Sequence, residues 1–147
     1  LYAALRGVPD WRKVLSIFHA CPFEFNGERY NSIEHVFQSY KIRLADPAKA
    51  RHFTLDSGHE IGRGDGAFAQ KHRRYVRLTK PHLEYWDAIQ QAVMDSAAYR
   101  KFQSCPEALA ALKATQKAQL WHLVKQRGKP SALVRFHHLE RIRQALS

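Results

Sequence analysis

Acidic residues are scarce in this chain of 147 residues: 13 Asp and Glu stand against 24 Lys and Arg, a net charge of +11. That balance argues against basic partners and favours polyanions, either nucleic acid or a phosphorylated small molecule. Cysteine is nearly absent. Cys21 and Cys105 are the only two and lie far apart, so a reduced, cytoplasmic chain is the expectation, with a disulfide the less common alternative. No apolar run approaches 18 residues, which excludes a membrane-spanning helix of ordinary composition. No segment combines a basic face with an isolated apolar one, so a membrane surface is a poor partner. The dinucleotide-binding glycine fingerprint is missing, which removes a Rossmann oxidoreductase. There are nine histidines but no Cys-x-x-Cys and no His-x-x-x-His, and His137-His138 are adjacent and point apart on a helix. No metal and no cofactor are therefore expected. Cys21 precedes Pro22 with no evident base, so a cysteine nucleophile is not expected either. The chain starts at Leu1 instead of Met, as a trimmed chain or a piece of a longer protein would.

What is present is the material of one globular domain over residues 1–147. Hydrophobic residues make up 45% and aromatics 12%, enough for a core and too much for disorder. Phe23-Glu24-Phe25 alternates, Asn26-Gly27 is a two-residue hairpin turn, and Arg29-Tyr30 alternates again, which predicts a small β-hairpin near the N-terminus. Ser32 is a good N-cap for a helix to about Leu44, with Glu34 at its positive end. Asp46-Pro47 stops that helix and starts another over 47–55. Pro81 opens a long amphipathic helix to Phe102 with Leu83, Trp86, Ile89, Val93 and Ala97 on one face. Further helices are predicted from Ser104 to Ala114, from Gln116 to Gln126 and, capped by Ser131, to Leu146. The fold class is mainly α (α+β), a compact helical domain with one small hairpin.

The densest chemistry lies on the helix after Ser32. At about 100° per residue, Gln38 lies about 40° from Glu34 around the axis and Lys41 about 20° on its other side. One face thus carries a carboxylate, an amide and an amine beside the apolar side chains of Ile33, Val36, Phe37 and Tyr40. On spacing alone the commoner reading is a surface ion pair with a spectator glutamine. Two other stretches carry open alternatives. Gly58, Gly62, Gly64 and Gly66 around Arg63 would let backbone amides approach a phosphate, or would simply form a flexible loop. Lys71-His72-Arg73-Arg74-Tyr75-Val76-Arg77-Leu78-Thr79-Lys80 has five Lys or Arg in ten residues with Tyr75 among them. Lys71, Arg73, Arg74, Arg77 and Lys80 suit phosphates and Tyr75 suits base stacking, or the run is a solvated loop.

The words around the key helix shift the reading. Leu15-Ser16-Ile17-Phe18-His19-Ala20-Cys21-Pro22-Phe23-Glu24-Phe25-Asn26-Gly27 runs into Glu34-His35-x-Phe37-Gln38-x-x-Lys41, followed by Ile61-Gly62-Arg63, Trp86, Val93-Met94 and Lys101-Phe102. In this the chain resembles the NADAR superfamily, small N-glycosidase domains linked to NAD and ADP-ribose chemistry. The resemblance implies Glu34 and Lys41 as catalytic residues, with Phe18, Gln38, Gly62, Arg63 and Trp86 binding substrate. It implies removal of ADP-ribose from guanine bases of nucleic acid. The alternatives are an N-glycosidase for phosphoribosyl intermediates of riboflavin biosynthesis, and a non-catalytic binder of ADP-ribose or nucleic acid. Lys41 would hold a phosphate or hydroxyl, or attack the anomeric carbon as a neutral amine.

The chain departs from the family in three places. Ile17 replaces an Asn. The segment from Arg63 to Trp86 is long and basic. After Ala111-Leu112-Lys113-Ala114-Thr115, where the family has an acidic-aromatic-Gly loop, no acid follows until Glu140 and Trp121-His122 stand in the region. His122 takes over from a second carboxylate, one carboxylate suffices, or activity is lost.

Overall fold

Asn26 and Gly27 make the turn the sequence asks of them. Both have positive φ, 50° and 85°, the signature of a type I′ hairpin turn, in the computed structural model. They join β1 (Phe23–Phe25) to β2 (Glu28–Tyr30) with Phe23 opposite Tyr30 and Phe25 opposite Glu28. Phe23 and Phe25 face the core and Glu24 faces water. The structure describes residues 3–8, 10–124, 128 and 130–147.

The chain then enters α3 (Ile33–Arg43), the third helix after the short α1 (Ala3–Arg6) and α2 (Trp11–Val14). Ser32 Oγ accepts the His35 N–H at 3.2 Å, the expected cap. Seven of the eleven residues of α3 are buried, Glu34, His35 and Gln38 among them. The helix is buried on most sides because it stands between two apolar clusters. Ile33 and Val36 enter the larger one with Phe23, Tyr30, Phe102 and Leu112. Ile42 enters the smaller one with Phe53, Ile61 and Ala69.

Asp46 Oδ1 accepts the Lys49 N–H at 3.0 Å and Pro47 opens α4 (Pro47–Ala50), which tightens into a 3₁₀ turn over Arg51–Phe53. The short α5 (Glu60–Arg63) and α6 (Gly66–Lys71) follow. Thr79 and His82 form a reciprocal capping box at the head of α7 (Lys80–Ser104), a helix of 25 residues and thus about 37 Å long. It lies across α3 and leads into α8 (Pro106–Ala114). Among the described residues no helix is long and apolar enough to cross a membrane.

Beyond α8 the sequence expectation fails. In place of helices over 116–126 and from Ser131, the chain forms a second antiparallel hairpin, β3 (Trp121–Val124) with β4 (Ala132–Arg135), and then α9 (His137–Ala145). Gly128, read as a helix stop, has φ 71° and lies in the connection between the strands. Trp121-His122-Leu123-Val124 and Leu133-Val134 are rich in aromatic and branched residues. Short apolar runs of that kind serve either state, and cross-strand pairing decides. Trp121 pairs with Arg135, and Leu123 with Leu133.

The cysteine expectation also needs correction. Cys21 and Cys105 form a disulfide, with Cα atoms 6.4 Å apart across a sequence separation of 84. Folding brings the start of β1 against the α7–α8 junction, a proximity that spacing in the sequence cannot reveal. Closing so long a loop constrains the unfolded chain by about 4.5 kcal/mol on the chain-entropy estimate.

Candidate functional site

α3 does bring the carboxylate and the amide together. Gln38 Nε2 donates to Glu34 Oε1 at 2.7 Å, and each residue is only 3% exposed. That orientation is the one an ionised Glu34 requires, because the opposite flip would set oxygen against carboxylate oxygen. Gln38 Oε1 is then left buried with no hydrogen-bond partner. An unmet acceptor next to a buried carboxyl costs about 1–3 kcal/mol unless a ligand donor reaches it.

Burial raises the Glu34 pKa above the ordinary carboxyl range, against the opposing effects of the Gln38 hydrogen bond and the Lys41 charge. Lys41, about two turns on and half-buried, is pushed the other way. Burial lowers its pKa, Glu34 opposes that, and the charge of Arg73 lowers it further. Glu34 and Lys41 feel each other without forming an ion pair. The structure therefore sets a carboxyl biased toward its acid form and an amine biased toward its neutral form on one helix.

His35, which the sequence motif contains but to which no role was given, holds this helix to its neighbour. Its Nε2 donates to the Ile61 carbonyl at 2.8 Å, so its Nδ1 accepts from Ser32 Oγ at 2.6 Å. Burial keeps the ring neutral by lowering its pKa. The bond ties α3 to the Ile61-Gly62-Arg63 segment.

Gly62 is required by packing. A Cβ there would fall on the carbonyl of Thr54, so Gly62 lets α5 lie against the preceding turn. Arg63, at the end of α5, is exposed. Phe18 is half-buried in the loop before β1, where its carbonyl accepts the Gly66 N–H at 3.1 Å. Ile17 on the same loop accepts the Glu34 N–H, also at 3.1 Å, which seats this loop on the head of α3.

Trp86 is 3% exposed and meets Phe37 edge-to-face with ring centroids 4.9 Å apart. Its ring is used in packing rather than left as an open stacking plane. The same holds for Tyr75, which is half-buried. Its hydroxyl lies 2.7 Å from His52 Nδ1 and its ring packs against Phe53. In the basic run Lys71, Arg73, Arg74, Arg77 and Lys80 are exposed, and Arg73 lies near enough to Lys41 to act on its charge. The side chain of His122 falls outside the described residues. Among those described, no three His, Cys, Asp or Glu side chains gather to hold a metal ion.

A cleft of about 900 Å³ opens beside this helix, lined by Phe18, Ile17 and Ile33 and walled by α2, α7 and the second hairpin. Glu34, Gln38, Lys41 and Trp86 do not line it. Lys101 is a residue that carries more than its sequence position announced. Its side chain is wholly buried, and Nζ donates to the carbonyls of Ser16 at 3.0 Å and His19 at 3.4 Å, on either side of Phe18. In the sequence Lys101 stands beside Phe102 in one of the stretches that carry the family resemblance, with no role implied for it.

No protein-family model and no curated protein matches this chain. Its fold is similar to that of the E. coli protein YbiA, solved by NMR, with a TM-score of 0.66 and 23% identity, covering 99% of this chain and 82% of that one. At that identity the likeness is one of fold.

Proposed function

We propose that this chain is an N-glycosidase that removes ADP-ribose from guanine bases of nucleic acid. The observation that carries the reading is the buried Glu34–Gln38 pair with its unmet Gln38 acceptor. Cleaving an N-glycosidic bond builds positive charge on the ribose ring, which a nearby carboxylate stabilises. A sugar hydroxyl donating to Gln38 Oε1 would satisfy the orphan and orient the ring. Burial of Glu34 favours its acid form, and in the proposed reaction that form protonates the departing guanine while the resulting carboxylate activates the incoming water. Exposed Arg63 and the basic run are available for phosphates.

Lys41 has two available roles. As a neutral amine it attacks the anomeric carbon while the C–N bond to guanine breaks with its electron pair. Ring opening then gives an imine, which water hydrolyses to release ADP-ribose and the free amine. As a cation it holds a phosphate. The resemblance to the NADAR superfamily supports the reaction class, and the charge of +11 supports nucleic acid over a small phosphoribosyl compound.

A second reading, a non-catalytic binder of ADP-ribose or nucleic acid, is favoured by one observation: Glu34 has no second acid near it in the chain segment where the family carries one. Incubation with ADP-ribosylated DNA separates the two. Free ADP-ribose should appear with the native chain, and Glu34→Gln should lower its rate by roughly 10²–10⁴-fold. Binding without release from the native chain would select the second reading.

A further inference from the structure

We infer that the cleft between α2 and the second hairpin is a track for single-stranded nucleic acid, with Trp121 as its stacking plane and Arg12 as a phosphate contact. The inference rests on the proposed function for why a strand would lie here, since the floor of the cleft, Ile17 and Ile33, adjoins Glu34. Its chemistry comes from the walls.

Trp121 is 52% exposed although it is the largest side chain on the hairpin, and Leu133 and Val134 on the paired strand are 66% and 43% exposed. By the register Trp121 and Leu133 stand on one face of this small sheet and Val134 on the other, and of the three Trp121 and Val134 line the cleft. The cleft also takes Arg12, Arg135 and Arg141 into its wall and no acid. Arg135 and Arg141 are partly neutralised, by Glu140 at 2.8 Å and Asp95 at 3.5 Å. The Arg12 guanidinium instead lies over the Trp11 ring at 4.3 Å, held by a cation–π contact that leaves its edge for a phosphate. Trp121 is directly opposite Arg135 across the hairpin, so plane and cation share a face.

Aromatic planes interleaved with arginines bind stacked bases and their phosphates. They do not suit a second copy of this chain, whose charge of +11 would be brought against itself. This assigns the strand to a surface other than the basic run 71–80, whose aromatic, Tyr75, is already committed to His52 and Phe53.

The test is fluorescence anisotropy with an unmodified single-stranded oligodeoxynucleotide, which needs no turnover. Trp121→Ala should weaken binding about tenfold, and Trp121→Phe should restore most of it. Arg12→Gln should flatten the dependence of log affinity on log salt by about 0.7, the effect of one lost single-strand phosphate contact. Circular dichroism melting should show each variant folded, as expected for side chains this exposed. Native affinity in Trp121→Ala would overturn the assignment, as would sedimentation showing a native dimer that Trp121→Ala dissolves with no effect on the oligonucleotide. A chain that binds the oligonucleotide through Trp121 yet frees no ADP-ribose would retain the track and end the proposed glycosidase. A chain that frees ADP-ribose from a modified mononucleotide yet ignores the strand would do the reverse.

Discussion

Lys41 and Lys101 are both lysines withdrawn from water, and their surroundings differ. Burial lowers the pKa of each, that of Lys101 to about 7 with only the charge of Glu107 in opposition. If a lowered pKa marked a nucleophile, Lys101 would be the better candidate. Yet Lys101 is wholly buried and two of its N–H groups are engaged by the carbonyls of Ser16 and His19. Nothing outside the protein can reach it. Lys41 is half-buried, forms no ion pair, and has a carboxyl on one side and a second cation near the other. The depressed pKa reports dehydration in both cases. What separates a reactive amine from a structural one is uncommitted bonding capacity. Lys101 is accordingly a clamp on the loop that carries Phe18 and braces Glu34.

The comparison breaks first if the two residues exchange effects. Lys41→Arg keeps the charge and cannot form an imine under ordinary conditions, so release of ADP-ribose should fall by roughly 10³-fold on the covalent route. Borohydride added during turnover should trap a sugar adduct that peptide mass mapping assigns to Lys41. An active Lys41→Arg chain with no adduct would leave Lys41 as a phosphate ligand. Lys101→Ala should act on stability instead. At pH 9, where the native amine is neutral, it opens a cavity and leaves two buried carbonyls short of a donor, a loss of about 3 kcal/mol in a urea melt. If its residual folded fraction turned over normally, the clamp would have no bearing on the site.

How far these roles could be read from sequence depends on the length scale of the interaction. The first hairpin and α3 were legible because their signals are local: Asn26-Gly27 in the turn, Ser32 at the cap, and Glu34 and Gln38 one turn apart. The second hairpin was not, since Trp121–Val124 and Ala132–Arg135 become strands only by pairing across a turn. Lys101 was quoted in the motif but its partners are carbonyls 85 and 82 residues away. Backbone acceptors leave no mark in side-chain chemistry. Gly62 was read for its freedom at a phosphate, whereas its reason is the carbonyl of Thr54 in another segment. The disulfide required the same long-range knowledge.

The pH dependence of stability is the sharpest test of Lys101 itself. Its pKa falls from an ordinary 10.5 in the unfolded chain to about 7 in the folded one. Between those values the unfolded state binds a proton that the folded state has released. Stability must therefore rise with pH across that window, with a slope of up to about 1.4 kcal/mol per pH unit. Below pH 7 both states hold the proton and the slope from this group vanishes. Urea melts at steps from pH 7 to 9.5 should show the rise in the native chain, and Lys101→Met, which cannot titrate, should show a flatter profile over the same steps. Lys41→Met should keep most of the native slope, because its amine is only half-buried and sits beside Glu34. Equal slopes in the native chain and Lys101→Met would mean that water reaches Lys101 after all, and the distinction between the two amines would collapse.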